Sequence, residues 1–257
     1  MTQDAVRVEH EGPVGIITID RPERRNAISI GVMDELDGAL DALAPSAEVV
    51  VITGGGDRVF VSGGDLKELA LVRDIADASA MSLKMRRVCD KIADFPVPVI
   101  AALNGSALGG GAELAVACDM RIAADDVQFG FIQSKLGIMP AWGGAERLVA
   151  LVGSGRALYL MLSARVLLSE ELFSWGLAEE VVDRASFAHR WRELAHMIAA
   201  IAPGARTGIK QLGRRSAISV QPGIEELAVS MFAKSWVSDD HWAAAKVMDD
   251  LRRERRR

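Results

Sequence analysis

A single carboxylate follows three consecutive glycines in Asn104-Gly105-Ser106-Ala107-Leu108-Gly109-Gly110-Gly111-Ala112-Glu113-Leu114, just after an apolar run over residues 96–103. Glycine has no Cβ, so such a run opens backbone N–H groups to close approach, at a cost of roughly 0.5–1 kcal/mol per residue in a helix or strand. Binding of an anion, or of a charge that develops during a reaction, offsets that cost. A second glycine turn, Val59-Phe60-Val61-Ser62-Gly63-Gly64-Asp65-Leu66-Lys67-Glu68-Leu69, offers another N–H at the start of a helix. Two such donors on one oxygen form an oxyanion hole, where one donor is typically worth about 2.7–4 kcal/mol of barrier. A helix starting near Gly110 adds the positive end of its dipole.

Other nearby residues have plainer roles. Asp65 suits the N-cap of a helix through Leu66 and Leu69 and is not assigned as a base. Lys67 reads as a solvated charge. His189 and His196 lie seven apart on a predicted helix, but no carboxylate or cysteine set completes a metal site. The glycine run does not fit GxGxxG, and no P-loop lysine follows it.

The elements that must position these groups alternate. Residues 14–19 are β-branched and end in Asp20-Arg21-Pro22, a strand followed by a turn. Ser29 opens a helix whose apolar positions Ile30, Met33, Leu36, Leu40 and Leu43 recur at three and four, with Pro45 beyond its end. Residues 49–53 form a strand running into Gly54-Gly55-Gly56, and residues 97–103 one running into Asn104. Strand, glycine turn and helix in alternation imply an α/β fold with parallel strands and right-handed crossovers. After Pro140 helices take over, predicted over residues 143–152, 155–162, 169–175, 186–202, 222–236 and 239–252. A soft boundary near residues 177–186 divides a β/α core, 1–180, from a helical region, 181–257, within one functional unit.

The 257 residues carry a net charge of −5 and are half hydrophobic, which suits a soluble enzyme and offers no general attraction to nucleic acid. Cys89 and Cys118 are far apart and lack CxxC spacing, so neither a disulfide framework nor a zinc site is implied. No secretory signal and no membrane-length apolar run is visible, and a cytoplasmic location is the default expectation. The basic end, Arg252-Arg253-Glu254-Arg255-Arg256-Arg257, reads as a solvated tail.

Along nearly its whole length the chain resembles the crotonase superfamily. The resemblance is carried by Ile19-Asp20-Arg21-Pro22-Glu23-Arg24-Arg25-Asn26-Ala27-Ile28, by residues 60–69, by residues 104–114 with Ala117-Cys118-Asp119, and by Leu136-Gly137-Ile138-Met139-Pro140 with Gly143-Gly144. It implies a ββα spiral core with a helical C-terminal region, an acyl-CoA thioester substrate, and a homotrimer or hexamer formed through the C-terminal helices, where Trp236 and Trp242 would suit a subunit surface. No metal or tightly bound cofactor is implied; coenzyme A enters as part of the substrate. The family's oxyanion amides fall on Gly64 and Gly110 and its first catalytic glutamate on Glu113. The substrate-binding positions fall on Arg25, Ala27, Gly63, Asp65, Leu66, Lys67 and Trp142. Arg21, Arg24 and Lys210 are either surface charges or contacts to CoA phosphates.

The departure is Gln133, in Phe129-Gly130-Phe131-Ile132-Gln133-Ser134-Lys135-Leu136-Gly137, where a typical hydratase has its second glutamate. An amide is neither acid nor base near neutral pH. Glu113 would act alone, which suits decarboxylation of a malonyl-type thioester, since loss of CO2 generates the enolate without a base. Residues 135–148 and 232–248 also resemble ethylmalonyl-CoA decarboxylase relatives. Decarboxylation is the favoured expectation. The alternatives are hydration of a 2-enoyl-CoA and a non-catalytic acyl-CoA or RNA-binding role.

Overall fold

A computed structural model describes residues 4–217 and 223–254; Pro222, predicted to open a helix, and the last three arginines of the basic tail lie outside these. The chain begins with an antiparallel pair, β1 (Val6–Glu11) and β2 (Val14–Ile19), and α1 (Ile30–Leu43) leads to β3 (Val49–Gly54). Ser29 caps α1 as expected, its side chain accepting from Val32 N at 3.3 Å.

A repeating step follows. A long strand is succeeded by a short strand in a second sheet and then by a helix or helical turn. β3 leads to β4 (Val59–Val61), α2 (Leu66–Leu69) and α3 (Ile75–Ala93). β5 (Val99–Leu103) leads to β6 (Ser106–Leu108) and α4 (Gly110–Ala117). β7 (Met120–Ala124) leads to β8 (Gln128–Gly130) and a 3-10 turn, Gln133–Leu136. The rest is α5 (Gly144–Val152), α6 (Ser154–Ser163), β9 (Leu167–Leu168), α7 (Ser169–Ser174), β10 (Glu180–Val182), α8 (Arg184–Ala199), α9 (Pro203–Ala217), α10 (Ile224–Trp236) and α11 (Asp239–Glu254).

The long strands form one sheet in the order β1-β2-β3-β5-β7-β10, parallel from β2 onward, and the short ones a second sheet, β4-β6-β8-β9. This is the expected ββα spiral with helices following. Nearly every residue of β2, β3 and β5 is buried, which explains their continuous β-branched and apolar runs.

Some elements differ from expectation. The strand anticipated from Val97 starts at Val99, because Pro98 has no N–H to give a ladder; its carbonyl accepts from Val50 N at 2.9 Å. Of α9 only a helical stretch at Lys210 was anticipated, and α3 was not, although α3 carries Ala78, Met81, Met85, Val88, Cys89 and Ile92 at helical spacing behind an Asp74 N-cap. Trp236, expected either in the core or at a subunit contact, is buried within the chain and donates its indole N–H to Val72 O at 3.0 Å. Cys89 and Cys118 are free and buried. Among the described residues no helix is long and apolar enough to cross a membrane.

Two buried asparagines sew the turns together. Asn104 accepts from Gly54 N at 3.0 Å and donates to the carbonyls of Gly54 and Gly56 at 2.8 and 2.7 Å. Asn26 accepts from Arg21 N at 2.9 Å and donates to Gly55 O and Val59 O at 3.0 and 2.7 Å. Both fix the loop between β3 and β4, and so the strand that leads into Gly63-Gly64. Asn104→Ala would strand a buried N–H and two buried carbonyls, and should cost about 1–3 kcal/mol in urea-induced unfolding.

Candidate active site

β4, β6 and β8 are parallel neighbours, so the segments leaving their carboxyl ends emerge together. These segments carry Gly63-Gly64, Gly109-Gly110 and Gln133. At the first two ends the chain turns sharply: Gly109 has φ +57 and Gly63 φ +106, backbone that favours glycine. They also come close to each other. A Cβ on Gly63 would stand 3.4 Å from Gly110 N and 3.3 Å from Leu108 O. Among the described residues the N–H groups of Gly64 and Gly110 take no acceptor, while their neighbours do: Asp65 N donates to Ile28 O at 2.8 Å and Gly109 N to Gly130 O at 2.8 Å. Two unused amides therefore lie on adjoining segments, one at the first residue of α4.

Glu113 sits one turn into α4 and is 2% exposed. Its Oε2 accepts from Trp142 N at 2.7 Å and Gly144 N at 3.1 Å, and its Oε1 accepts from Gln133 Nε2 at 3.0 Å. Burial pushes the carboxyl up to about 7; the bonds from Trp142, Gly144 and Gln133 pull it down, and the charge of Glu146 adds a small upward push. A carboxyl poised there can both take and give a proton near neutrality.

Gly144 must be a glycine for this contact to exist, since a Cβ would fall 2.3 Å from Glu113 Cγ. The strap holding it is anchored from below. Ser82 donates to Ala141 O at 3.2 Å, Arg147 to Trp142 O at 3.4 Å and to Asp90 at 2.5 Å, and Arg86 to Glu146 at 2.8 Å. Helices α3 and α5 are thereby tied beneath the carboxylate.

Gln133 is buried, as its position next to Glu113 requires. An ionised carboxylate can only accept, so the Gln133 NH2 faces it. The amide oxygen, Oε1, has no partner among the described residues. Trp142 is buried with its indole against the start of α4: a Cβ on Gly110 would lie 2.1 Å from Trp142 Cζ3.

The remaining expected positions divide. Asp65 caps α2 through Glu68 N, at 3.5 Å, and its buried carboxylate also meets Arg21 at 3.2 Å and Arg24 at 3.3 Å. Arg21 is further held by Ala27 O at 2.6 Å and Glu68 at 2.9 Å, which makes it a brace for the turn more than a free phosphate contact. Arg25 is exposed in the left-handed region, φ 57, and its carbonyl accepts from Ser62 N at 3.2 Å, holding residues 25–27 beside the Gly63 loop. Ala27 is buried, Leu66 half-buried and Lys67 exposed. Lys210 lies elsewhere, bound to Asp119 at 2.7 Å and Val97 O at 2.9 Å beside an apolar cleft of about 420 Å³. His189 and His196 are exposed on α8, and no group of three metal-ligating side chains occurs among the described residues. Asn26, Asn104 and the N–H groups of Trp142 and Gly144 were not singled out from the sequence, though the Gly143-Gly144 pair before a helix was a visible signal.

The sequence profile of the Enoyl-CoA hydratase/isomerase family matches residues 9–246. The chain belongs to this family. It is 36% identical over 205 residues to the short-chain-enoyl-CoA hydratase of Clostridium acetobutylicum, covering 79% of this chain and 78% of that protein. Among solved structures, an enoyl-CoA hydratase from Bacillus anthracis aligns with a TM-score of 0.80 at 30% identity over 96% of each chain. A carnitinyl-CoA hydratase from Mycobacterium avium aligns with a TM-score of 0.82 at 31% identity over 97% of each. As a member of the enoyl-CoA hydratase/isomerase family, the chain is assigned to proteins that handle CoA thioesters, and its spiral is the crotonase fold.

The Glu113 shift has a thermodynamic signature. Its folded pKa, about 7, lies above the ordinary 4.5, so between these values the folded state holds a proton that the unfolded state has lost. Stability from this group is full below 4.5 and falls as pH rises to 7. Glu113→Gln should therefore gain on the wild type by about 3 kcal/mol between pH 4.5 and 7.5, at about 1.36 kcal/mol per pKa unit. Denaturant midpoints across that range check it, and a constant difference would contradict the shift.

Proposed function

We propose that this family member adds water to a short 2-enoyl-CoA, with Glu113 as its single acid and base and with Gly64 and Gly110 holding the thioester oxygen. The observation that carries the proposal is a carboxylate with a pKa near neutrality, buried beside two unpaired amides. The names of the relatives, hydratases, weigh in the same direction and against the decarboxylation that the lone glutamate first suggested.

One carboxylate suffices for the proton balance. Glu113 takes a proton from water as the water oxygen bonds to the β-carbon, and the C=C electron pair moves into the thioester to give an enolate. The enolate oxygen gains charge against the Gly64 and Gly110 N–H groups and the start of α4. Glu113 then returns its proton to the α-carbon, and the thioester is restored. Gln133 contributes by donating to Glu113 and by offering its unpartnered Oε1 as an acceptor for the attacking water.

Residues 1–180 supply the oxyanion amides and the acid/base in this proposal, and residues 181–257 cover them. Arg25, Ala27, Gly63, Leu66, Lys67 and Trp142 border the substrate, with Trp142 as a wall at Gly110. Decarboxylation stays as a second reading on one observation: the second acidic position is an amide, and protonating an enolate needs only one acid.

The two chemistries differ in sign. Hydration begins with Glu113 ionised, so kcat/KM should rise with pH through about 7; decarboxylation ends with protonated Glu113 as donor, so its rate should fall through the same range. Product mass identifies the reaction: crotonyl-CoA should gain one water, and methylmalonyl- and ethylmalonyl-CoA should be unchanged. Loss of CO2 from either, without hydration, would overturn the proposal. Glu113→Gln should lower turnover by about 10²–10⁴-fold while CoA binding persists.

A further inference from the structure

The C-terminal helices hold both halves of the site from one point. Trp236, in α10, donates to Val72 O at 3.0 Å, on the segment that leaves Gly64 through α2. His241, in α11, is fully buried between Trp236 and Trp242, with ring centroids 4.6 Å from each, and its Nδ1 lies 2.6 Å from Leu136 O. Leu136 ends the 3-10 turn that Gln133 begins. The outer side of that turn is tied to α6 by Ser134 Oγ, which donates to Met161 O at 2.8 Å. Gly137, just past the turn, lies against the start of α11: a Cβ on it would stand 3.4 Å from His241 N, in ordinary contact.

A carbonyl only accepts, so His241 Nδ1 carries the proton and Nε2 is bare. Nε2 has no partner among the described residues. Burial lowers the imidazole pKa and Arg73, whose guanidinium stacks 3.5 Å over Trp242, lowers it further, while the bond to Leu136 O opposes both. The ring is thus a neutral, one-sided donor clamped in place, an orientation that buries an unmet acceptor merely to reach Leu136.

We infer that His241 is a positioning residue: its Nδ1–H sets the Gln133 turn, and thereby the amide that Gln133 donates to Glu113, so that docking of α11 completes the acid/base site. The inference rests on Glu113 being the acid/base. No substrate contact is assigned to His241; it acts through backbone. A turn released from His241 lets Gln133 withdraw, and Glu113 then loses one of the donors that favour its ionised form. The pKa of Glu113 rises and its carboxylate loses a fixed orientation, for which a misplacement of about 1 Å costs on the order of 10²-fold.

Side-chain isosterism provides the test. The Asn side chain places an N–H donor near the His Nδ1 position, and that of Gln places one near Nε2. In full-length protein acting on crotonyl-CoA, His241→Asn should keep kcat within about threefold of wild type and leave the Glu113 limb of the pH profile in place. His241→Gln and His241→Ala should lose on the order of 10-fold or more in kcat, with that limb displaced toward higher pH and KM little changed. Thermal unfolding of all three variants separates packing from positioning, since Asn leaves the larger gap between the two indoles than Gln does. If activity tracks melting temperature across the three, or if the limb stays fixed in the Ala variant, the inference is overturned. Should Glu113→Gln itself remain active, the acid/base assignment fails first; a dead Glu113→Gln with an unmoved His241→Ala profile overturns the positioning role alone.

Discussion

A carboxylate taken out of water and left able to ionise is the constraint around which this molecule is arranged. Burying an unpaired charge is prohibitive, and pairing Glu113 with a cation would pin it as a permanent anion. The chain instead surrounds it with three neutral donors, the N–H groups of Trp142 and Gly144 and the Gln133 amide. Dipoles offset part of the desolvation without fixing the protonation state, so burial and hydrogen bonding leave the group near 7. Each donor imposes its own demand. Gly144 has to lack a side chain, the 140–144 strap has to be held from α3 and α5, and the 3-10 turn has to be gripped on both flanks.

Charged residues near the site serve this arrangement at one remove. Arg86, Asp90, Glu146 and Arg147 form a linked set under the strap, and Arg21, Arg24, Asp65 and Glu68 another beside the Gly63 loop. Neither set touches the Glu113 carboxylate. A charge placed in direct contact would move its pKa by units, whereas these sets fix the backbone that carries the neutral donors.

Much of the fold was legible because the spiral announces itself locally. β-branched runs ending in glycine, and helices opening on Ser29 or Asp65, are short-range signals, and they placed β2, β3, α1 and the two amide turns. Glu113 was legible for the same reason, since the glycines beside it have no other economical explanation. The holders of Glu113 were not legible, because main-chain N–H groups of Trp142 and Gly144 carry no residue-type signature and reach it only through long-range folding. Asn26 and Asn104 were hidden likewise: each bonds backbone about 30 to 50 residues away, and a buried asparagine looks in sequence like any turn residue. Trp236 left two readings open, core or subunit contact, because a large aromatic is equally at home in either, and the structure places it in the core. The helix α3 carries its signal in apolar spacing alone, Ala78, Met81, Met85, Val88, Cys89 and Ile92, without the glycine or β-branched run that marks the other elements.

Each turn of the spiral delivers one ingredient to the same rim. The first turn ends in Gly64, the second in Gly110 and Glu113, the third in Gln133, and β4, β6 and β8 hold these ends side by side. The parts are therefore neighbours in space but belong to separate stretches of chain, each with its own packing. A replacement at the third rim position alters the acid/base complement on a segment separate from the two amides, which lie where the Gly63 and Gly110 segments come close. Such a scaffold is interchangeable by parts: in the proposed reading the pair of amides that steadies an enolate stays constant, and what is done to the enolate is rewritten one turn at a time.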